Sequence, residues 1–237
     1  MRRLLMLLCA AALAACGDDD PTRVQPNAPT GRVRVVNTSP DTFVAKTIDV
    51  RVDNQPLNLS TTASALGYGV ASPYTPVYVG SREIEVRKGG DSTTTLFTLD
   101  ATIAQGVDYT VFVTGRGTAI APVLLTDQTA APPADSVRVR LVNTAPSAPS
   151  VDVYVTSTAA DITTLTPTVA GLAVGAASGY LTLPIGSHRI RFTTAGTKTV
   201  VRDINPLNLA AGQVRTVVLT DRAGGGTPVT SVVLVDR

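Results

Sequence analysis

The sequence has no tryptophan, a single histidine, two glutamates and two cysteines, and aromatic residues make up only 4% of it. So few rings leave little from which to build the stacking platforms of a sugar-cleaving cleft. Charge is also scarce. At 16% charged and 44% hydrophobic, the chain is too apolar for a disordered acidic or basic tail and rich enough to form a core. The formal charge is +2. Arg2 and Arg3 lie in a segment read below as cleaved, and without them 18 basic residues balance 18 acidic ones. A balanced chain lacks the net basic surface that neutralises phosphates, so no nucleic-acid partner is expected. Glycine (19) and proline (16) are plentiful over 237 residues, which favours turns over long helices. The length suits one large domain or two of ordinary size.

No apolar run is long enough to span a bilayer. Leu4 to Ala15 is twelve residues, against the roughly 20 a spanning helix needs. It follows Met1-Arg2-Arg3 and ends in Leu13-Ala14-Ala15-Cys16-Gly17. A positive start, a short apolar stretch and small residues before a cysteine are the features of a bacterial lipoprotein signal. Residues 1–15 are therefore expected to be removed and Cys16 to carry lipid. Cys9 would be lost with the signal, leaving no thiol for a disulfide, a metal or nucleophilic chemistry in residues 17–237. Residues 16–31 read as lipidated cysteine and flexible tether. Asp18, Asp19 and Asp20 there are adjacent carboxylates without further ligands and read as solvated charge. An aspartate directly after the lipidated cysteine resembles an inner-membrane retention signal. Gly17 occupies that place, so the expected location is the outer membrane of a bacterial envelope, with the membrane engaged through Cys16.

The remainder repeats itself. Arg32-Val33-Arg34-Val35-Val36-Asn37-Thr38-Ser39-Pro40 matches Arg138-Val139-Arg140-Leu141-Val142-Asn143-Thr144-Ala145-Pro146 at an offset of 106. Tyr74 falls on Tyr180 and Gly80-Ser81 on Gly186-Ser187 at the same offset. Each copy closes on an apolar run and an aspartate, Val123 to Asp127 and Val232 to Asp236. A unit this long is a domain and not a solenoid repeat. The expected organisation is a first repeat at 32–128, a linker at 129–135 containing Pro132-Pro133, and a second repeat at 136–237.

Within each copy the pattern is that of strands. Ile48, Val50 and Val52 share one face and Asp49, Arg51 and Asp53 the other, an alternation that marks a strand with one buried face. Val151, Val153 and Val155 repeat it. Ile84 and Val86 are expected inward, with Glu83, Glu85 and Arg87 outward; Ile190 and Phe192 inward, with Arg189 and Arg191 outward. The weak candidate for a helix, Val169 to Ala177, is interrupted by Gly171 and Gly175. Many short strands per copy give an all-β fold, two tandem β-sandwiches.

The ordered set of motifs resembles a known family. The Arg-Val-Arg-Val-Val opening, the turn ending in proline, Val151-Asp152-Val153-Tyr154-Val155, Leu183-Pro184-Ile185-Gly186-Ser187-His188, Leu209-Ala210-Ala211-Gly212 and Thr216-Val217-Val218-Leu219-Thr220-Asp221 are similar to the domain of unknown function DUF4397. The resemblance covers most of residues 32–237 as two tandem copies, the second the closer. In the first, Arg51 stands where Tyr154 does, and Tyr78-Val79 replaces Pro184-Ile185. It implies secreted or envelope-anchored bacterial proteins with an immunoglobulin-like fold, and it brings no catalytic residues.

Catalytic, cofactor-binding and metal residues are expected to be absent. His188 is adjacent to Ser187, and neighbours on a strand point to opposite faces, so the two cannot form a nucleophile–base pair. Glu83 and Glu85 are spaced about 7 Å apart, near the separation glycosidases use, but on a face expected to meet water. Asp49 and Asp152, and likewise Asp127 and Asp236, repeat near strand ends. They are too few for the six to eight oxygens of a calcium site and read as turn formers and edge protection. Asn37-Thr38-Ser39 and Asn58-Leu59-Ser60 match a glycosylation acceptor that a bacterial protein would not use. Gly224-Gly225-Gly226 reads as a flexible turn between strands. The expected function is a non-catalytic envelope module for binding, adhesion or scaffolding, with a protein or glycan partner. The alternative is a hydrolase acting on cell-wall or external polysaccharide.

Overall fold

The computed structural model describes residues 28–40, 47–57 and 65–237. The signal segment, Cys16, Asp18 to Asp20 and Asn58-Leu59-Ser60 lie outside the described residues. The first half contains β1 (Thr30–Asn37), β2 (Thr47–Val52), β3 (Gln55–Pro56), β4 (Leu66–Gly67), β5 (Thr75–Tyr78), β6 (Gly80–Lys88), β7 (Thr95–Ile103), β8 (Asp108–Thr114) and β9 (Ala121–Asp127). The second contains β10 (Ser136–Asn143), β11 (Ser150–Ser157), β12 (Val169–Ala173), β13 (Leu181–Pro184), β14 (Gly186–Thr194), β15 (Val200–Leu209), β16 (Val214–Thr220) and β17 (Thr230–Val235).

Each half is an immunoglobulin-like β-sandwich, and the two share one plan. The first pairs a sheet ordered β5-β1-β8-β9 with one ordered β3-β2-β6-β7; the second pairs β13-β10-β16-β17 with β12-β11-β14-β15. In both, the opening strand runs parallel to a late one, β1 with β8 and β10 with β16, and the other ladders are antiparallel. Alternation decides what each strand buries. Val33 and Val35 of β1 and Val111 and Val113 of β8 point into the first core, against Val50, Ile84 and Val86. Val139, Leu141, Val217 and Leu219 do the same in the second, against Val153, Ile190 and Phe192. Burial of each such side chain contributes about 1.5–3 kcal/mol.

The opposite faces of β1, β8, β10 and β16 do not meet water. They meet each other, and Val36, Phe112, Val142, Val218 and Leu234 form a third core between the sandwiches. The molecule is a stack of four sheets whose two middle layers are covered on both faces.

Three details depart from the sequence reading. β1 begins at Thr30, inside the stretch assigned to the tether, because Thr30 pairs with Tyr78 and its carbonyl accepts the Gly106 amide. Gly31 follows, and a Cβ there would lie 2.6 Å from the Ala104 carbonyl oxygen, so only glycine lets the chain approach this closely. Val169–Ala173, part of the weak helix candidate, is strand β12, paired with β11 and turned by Gly171 at φ 62. Arg191 and Glu85 are buried and do not face solvent freely. The Arg191 guanidinium donates to Thr156 Oγ1 of the neighbouring strand β11 (2.9 Å) and to the Ala160 carbonyl in the loop that follows it (2.7 Å).

Because each sandwich has a core of its own, cutting the chain within 129–134 should give two fragments that each keep a β-type circular-dichroism spectrum. The exposed third core should make them re-associate when mixed, as read by size-exclusion chromatography. A fragment that is unfolded alone would show that its core depends on the partner.

Candidate functional site

β1 and β10 carry Arg34 and Arg140 on the faces that meet, and the folding plan sets each opposite an aspartate of the other half. Arg34 Nη2 lies 2.7 Å from Asp236 Oδ1, and Arg140 Nη2 lies 2.5 Å from Asp127 Oδ1, all with buried side chains. Around each pair the same groups recur. Thr110 and Thr216 accept from Arg34 and Arg140 and donate to Asp127 and Asp236 (2.5 and 2.6 Å). The Tyr74 and Tyr180 hydroxyls donate to Asp127 and Asp236 (2.6 and 3.3 Å), and their rings lie under Arg34 and Arg140, centroids 4.5 and 4.8 Å away. Arg34 and Arg140 also donate to the Val235 and Thr126 carbonyls (3.0 and 3.1 Å). The junction thus has the reciprocity of a two-fold dimer interface inside one chain.

Burial drives the phenol of Tyr180 up to about 12, although Arg140 works against it; Tyr74 is raised further for the same reason, against Arg34. At the rim, Asp108 is desolvated, but hydrogen bonds from Arg32 and Thr129 outweigh this and hold it below the usual carboxylate range.

Asp127 and Asp236 are therefore neither turn formers nor edge protection, as their place at strand ends had indicated. They are buried counter-ions. Arg34, Arg140, Thr110 and Thr216 were not singled out as site residues, although all fall at matching repeat positions. Asp152 accepts the amides of Gly171 and Gly196 (2.7 and 2.8 Å), and Asp49 that of Gly90 (3.2 Å), which is turn chemistry. His188 Nε2 lies 2.8 Å from the Pro184 carbonyl, and since a carbonyl only accepts, that nitrogen carries the proton. Arg82 at the equivalent position donates to the Tyr78 carbonyl (3.0 Å). Ser187 turns away to Asn208 (2.6 Å). Glu83 is exposed, while Glu85 is covered and held by Arg87 (2.7 Å) and Thr95 (2.6 Å). The Arg87 contact, more than that of Thr95, lowers its pKa. Among the described residues no cluster of three His, Cys, Asp or Glu side chains is arranged to hold a metal ion.

Beside the Arg34 pair the junction opens into a groove of about 460 Å³, lined by Arg34, residues 69–74 and residues 232–235. Its rim is apolar: Val70, Val233 and Val235 are 48%, 38% and 61% exposed.

The model of the domain of unknown function DUF4397 matches residues 31–154. The chain belongs to this family. The match takes in β1 to β9 and continues through β10 into β11. No curated protein matches the sequence. Among solved structures, similarity extends to the family CBM26 module CBMbc of Amy13K from Eubacterium rectale, in complex with maltoheptaose, at 11% identity and a TM-score of 0.27, over 86% of this chain and 96% of that one. A streptococcal virulence factor described for alpha-glucan binding gives 9% and 0.27, over 85% and 96%. A putative adhesin from Bacteroides ovatus gives 10% and 0.18, over 90% and 97%.

Two outcomes follow from the junction. Asp236→Ala should cost up to about 3–5 kcal/mol in denaturant unfolding, because it removes the close counter-ion of the buried Arg34 and leaves only Asp127 Oδ2, 3.8 Å away. The exchange Arg34→Asp with Asp236→Arg should recover part of that loss. At high pH the protonated phenols are favoured by folding. Their contribution is complete below the ordinary tyrosine value of about 10 and falls away as pH rises toward the raised value. Unfolding near pH 11 to 12 should therefore be weakened by Tyr74→Phe with Tyr180→Phe, measured as thermal midpoint against pH.

Proposed function

We propose that the protein is a non-catalytic module of the bacterial cell envelope, held at the outer membrane by lipid on Cys16, that binds a protein or glycan partner through the junction groove. The groove carries this reading. Its valines are left in solvent beside a junction whose charged groups are firmly paired, and exposed apolar rims of this kind mark interaction sites. The residues that most invited a catalytic role support it too. His188, Ser187 and Glu85 each have a structural partner, and no two of them converge.

Mass spectrometry of the mature protein should find its N-terminus at Cys16 with an acyl mass, and Cys16→Ser should leave it out of the outer-membrane fraction. Arrays of envelope polysaccharides and envelope proteins should retain the purified protein, with retention lost in Val70→Glu. Turnover of glycosidase, peptidase or esterase substrates that disappears with His188→Ala, or with Glu83→Gln and Glu85→Gln together, would overturn the reading.

A further inference from the structure

The groove is the vacant next-strand position of the β13-β10-β16-β17 sheet. β17 is its edge. The Asp236 amide donates inward to the Val214 carbonyl, whereas the Val235 carbonyl turns outward to Arg34. Backbone groups alternate along an antiparallel strand, so Ser231 and Val233 also direct N–H and C=O outward. Neither residue's backbone has a partner at that edge among the described residues. Residues 69–74 of the other sandwich form the floor. There Ala71 packs against the third core, as Val232 of β17 does, so the groove continues the junction.

The repeat supplies an internal control. β9 is the equivalent edge, with the same junction contacts, so any difference between the two is free of that constraint. Where β17 has Ser231, β9 has Pro122, which removes an outward N–H and blunts the edge. Val235 corresponds to Thr126, Val70 to Ala176 and Pro73 to Gly179. Arg215, beside Val235, corresponds to Tyr109, and Arg237 to Gln128. Arg202, bonded to Ser231 Oγ at 3.0 Å, adds a third cation. None of these three arginines pairs with an aspartate or glutamate among the described residues; Arg215 donates to the Arg237 main-chain oxygen (2.9 Å) and Arg237 to the Thr129 carbonyl (3.3 Å).

We propose that this edge receives an extended peptide strand from a partner protein, with small apolar side chains at alternate positions and carboxylates near its ends. The peptide pairs with Ser231 and Val233, sets its apolar side chains on the junction side against Val70, and turns the intervening side chains and its terminal carboxylates to the other face, beside Val235, Arg202, Arg215 and Arg237. A second copy of the chain fits poorly: antiparallel pairing about Val233 would bring Arg215 against Arg202 of the other copy. This assignment rests on the binding-module reading and narrows it to one partner class.

The test is calorimetric titration of the full chain, in detergent, with the peptide acetyl-Asp-Val-Thr-Val-Thr-Val-Asp-amide. Binding should be saturable. It should weaken by about tenfold or more when alternate peptide amides are N-methylated, which removes ladder hydrogen bonds without altering the protein. Lysine in place of the terminal aspartates should weaken it by a similar factor, and so should Val235→Glu at a position that is already exposed. Equal affinity for the methylated peptide, or no binding, overturns the proposal. So does concentration-dependent dimerisation abolished by Val235→Glu, which would give the edge to a second copy. Retention on a polysaccharide array without peptide binding removes the strand assignment and leaves the binding-module reading standing; substrate turnover removes both.

Discussion

Arg34 and Arg140 each place a guanidinium on a carboxylate that belongs to the other sandwich, and all four side chains are buried. An ion withdrawn from water without a partner costs several kcal/mol even after relaxation. Neither sandwich can leave the junction without exposing half of each pair, or slide along it without separating them. A displacement of one residue is about 3.3 Å, enough to break every contact in the network. An apolar face of the same shape would hold the sandwiches together but tolerate several registers. The third core supplies adhesion and the ion pairs supply position.

The junction is symmetric because each half contributes the same set of arginine, threonine, tyrosine and aspartate. A true dimer would have to present identical surfaces on both sides of the axis. Two halves joined in one chain need be alike only where they touch. Val70 and Ala176 hold the same backbone contacts, to Asn37 and Asn143, yet one is a large exposed side chain and the other a methyl group. A symmetric frame can therefore carry a groove whose walls differ from those of its counterpart.

Much of the fold was legible because strand alternation and the repeat are local in character. Ile48, Val50, Ile84, Val86, Ile190 and Phe192 are buried as their spacing indicated. The site was not legible, and the reason is physical. Alternation separates two faces of a strand, and reading the polar face as wet holds only for a two-layer molecule. In a four-layer stack the polar face of β1 meets the polar face of its counterpart, so Arg34 is as buried as Val35. Arg191 was misread for a related reason: the loop through Ala160 folds over the outer face of its sheet. The repeat itself held a usable clue. Charged residues that recur at matching positions in both copies, facing away from each core, have the makings of a self-complementary surface.

An open strand edge is a liability, since its free amides and carbonyls will pair with any extended chain. β9 meets that hazard with Pro122. β17 has no proline and no lysine, and Val235 stands well out into solvent beside it. What it has instead are arginines along its flank. Like charges do not block an edge; they select among strands. Self-pairing in the antiparallel sense sets cation against cation, whereas a strand ending in carboxylates gains from the same field. That selectivity acts over about 8 Å in physiological salt, comparable to two residues of strand, so it governs the ends of an incoming segment more than its middle. The valines then sort what remains by size and polarity. The chemistry of the edge thus divides into a backbone part open to any sequence, a charge part that rejects copies of itself, and an apolar part continuous with the core that joins the sandwiches.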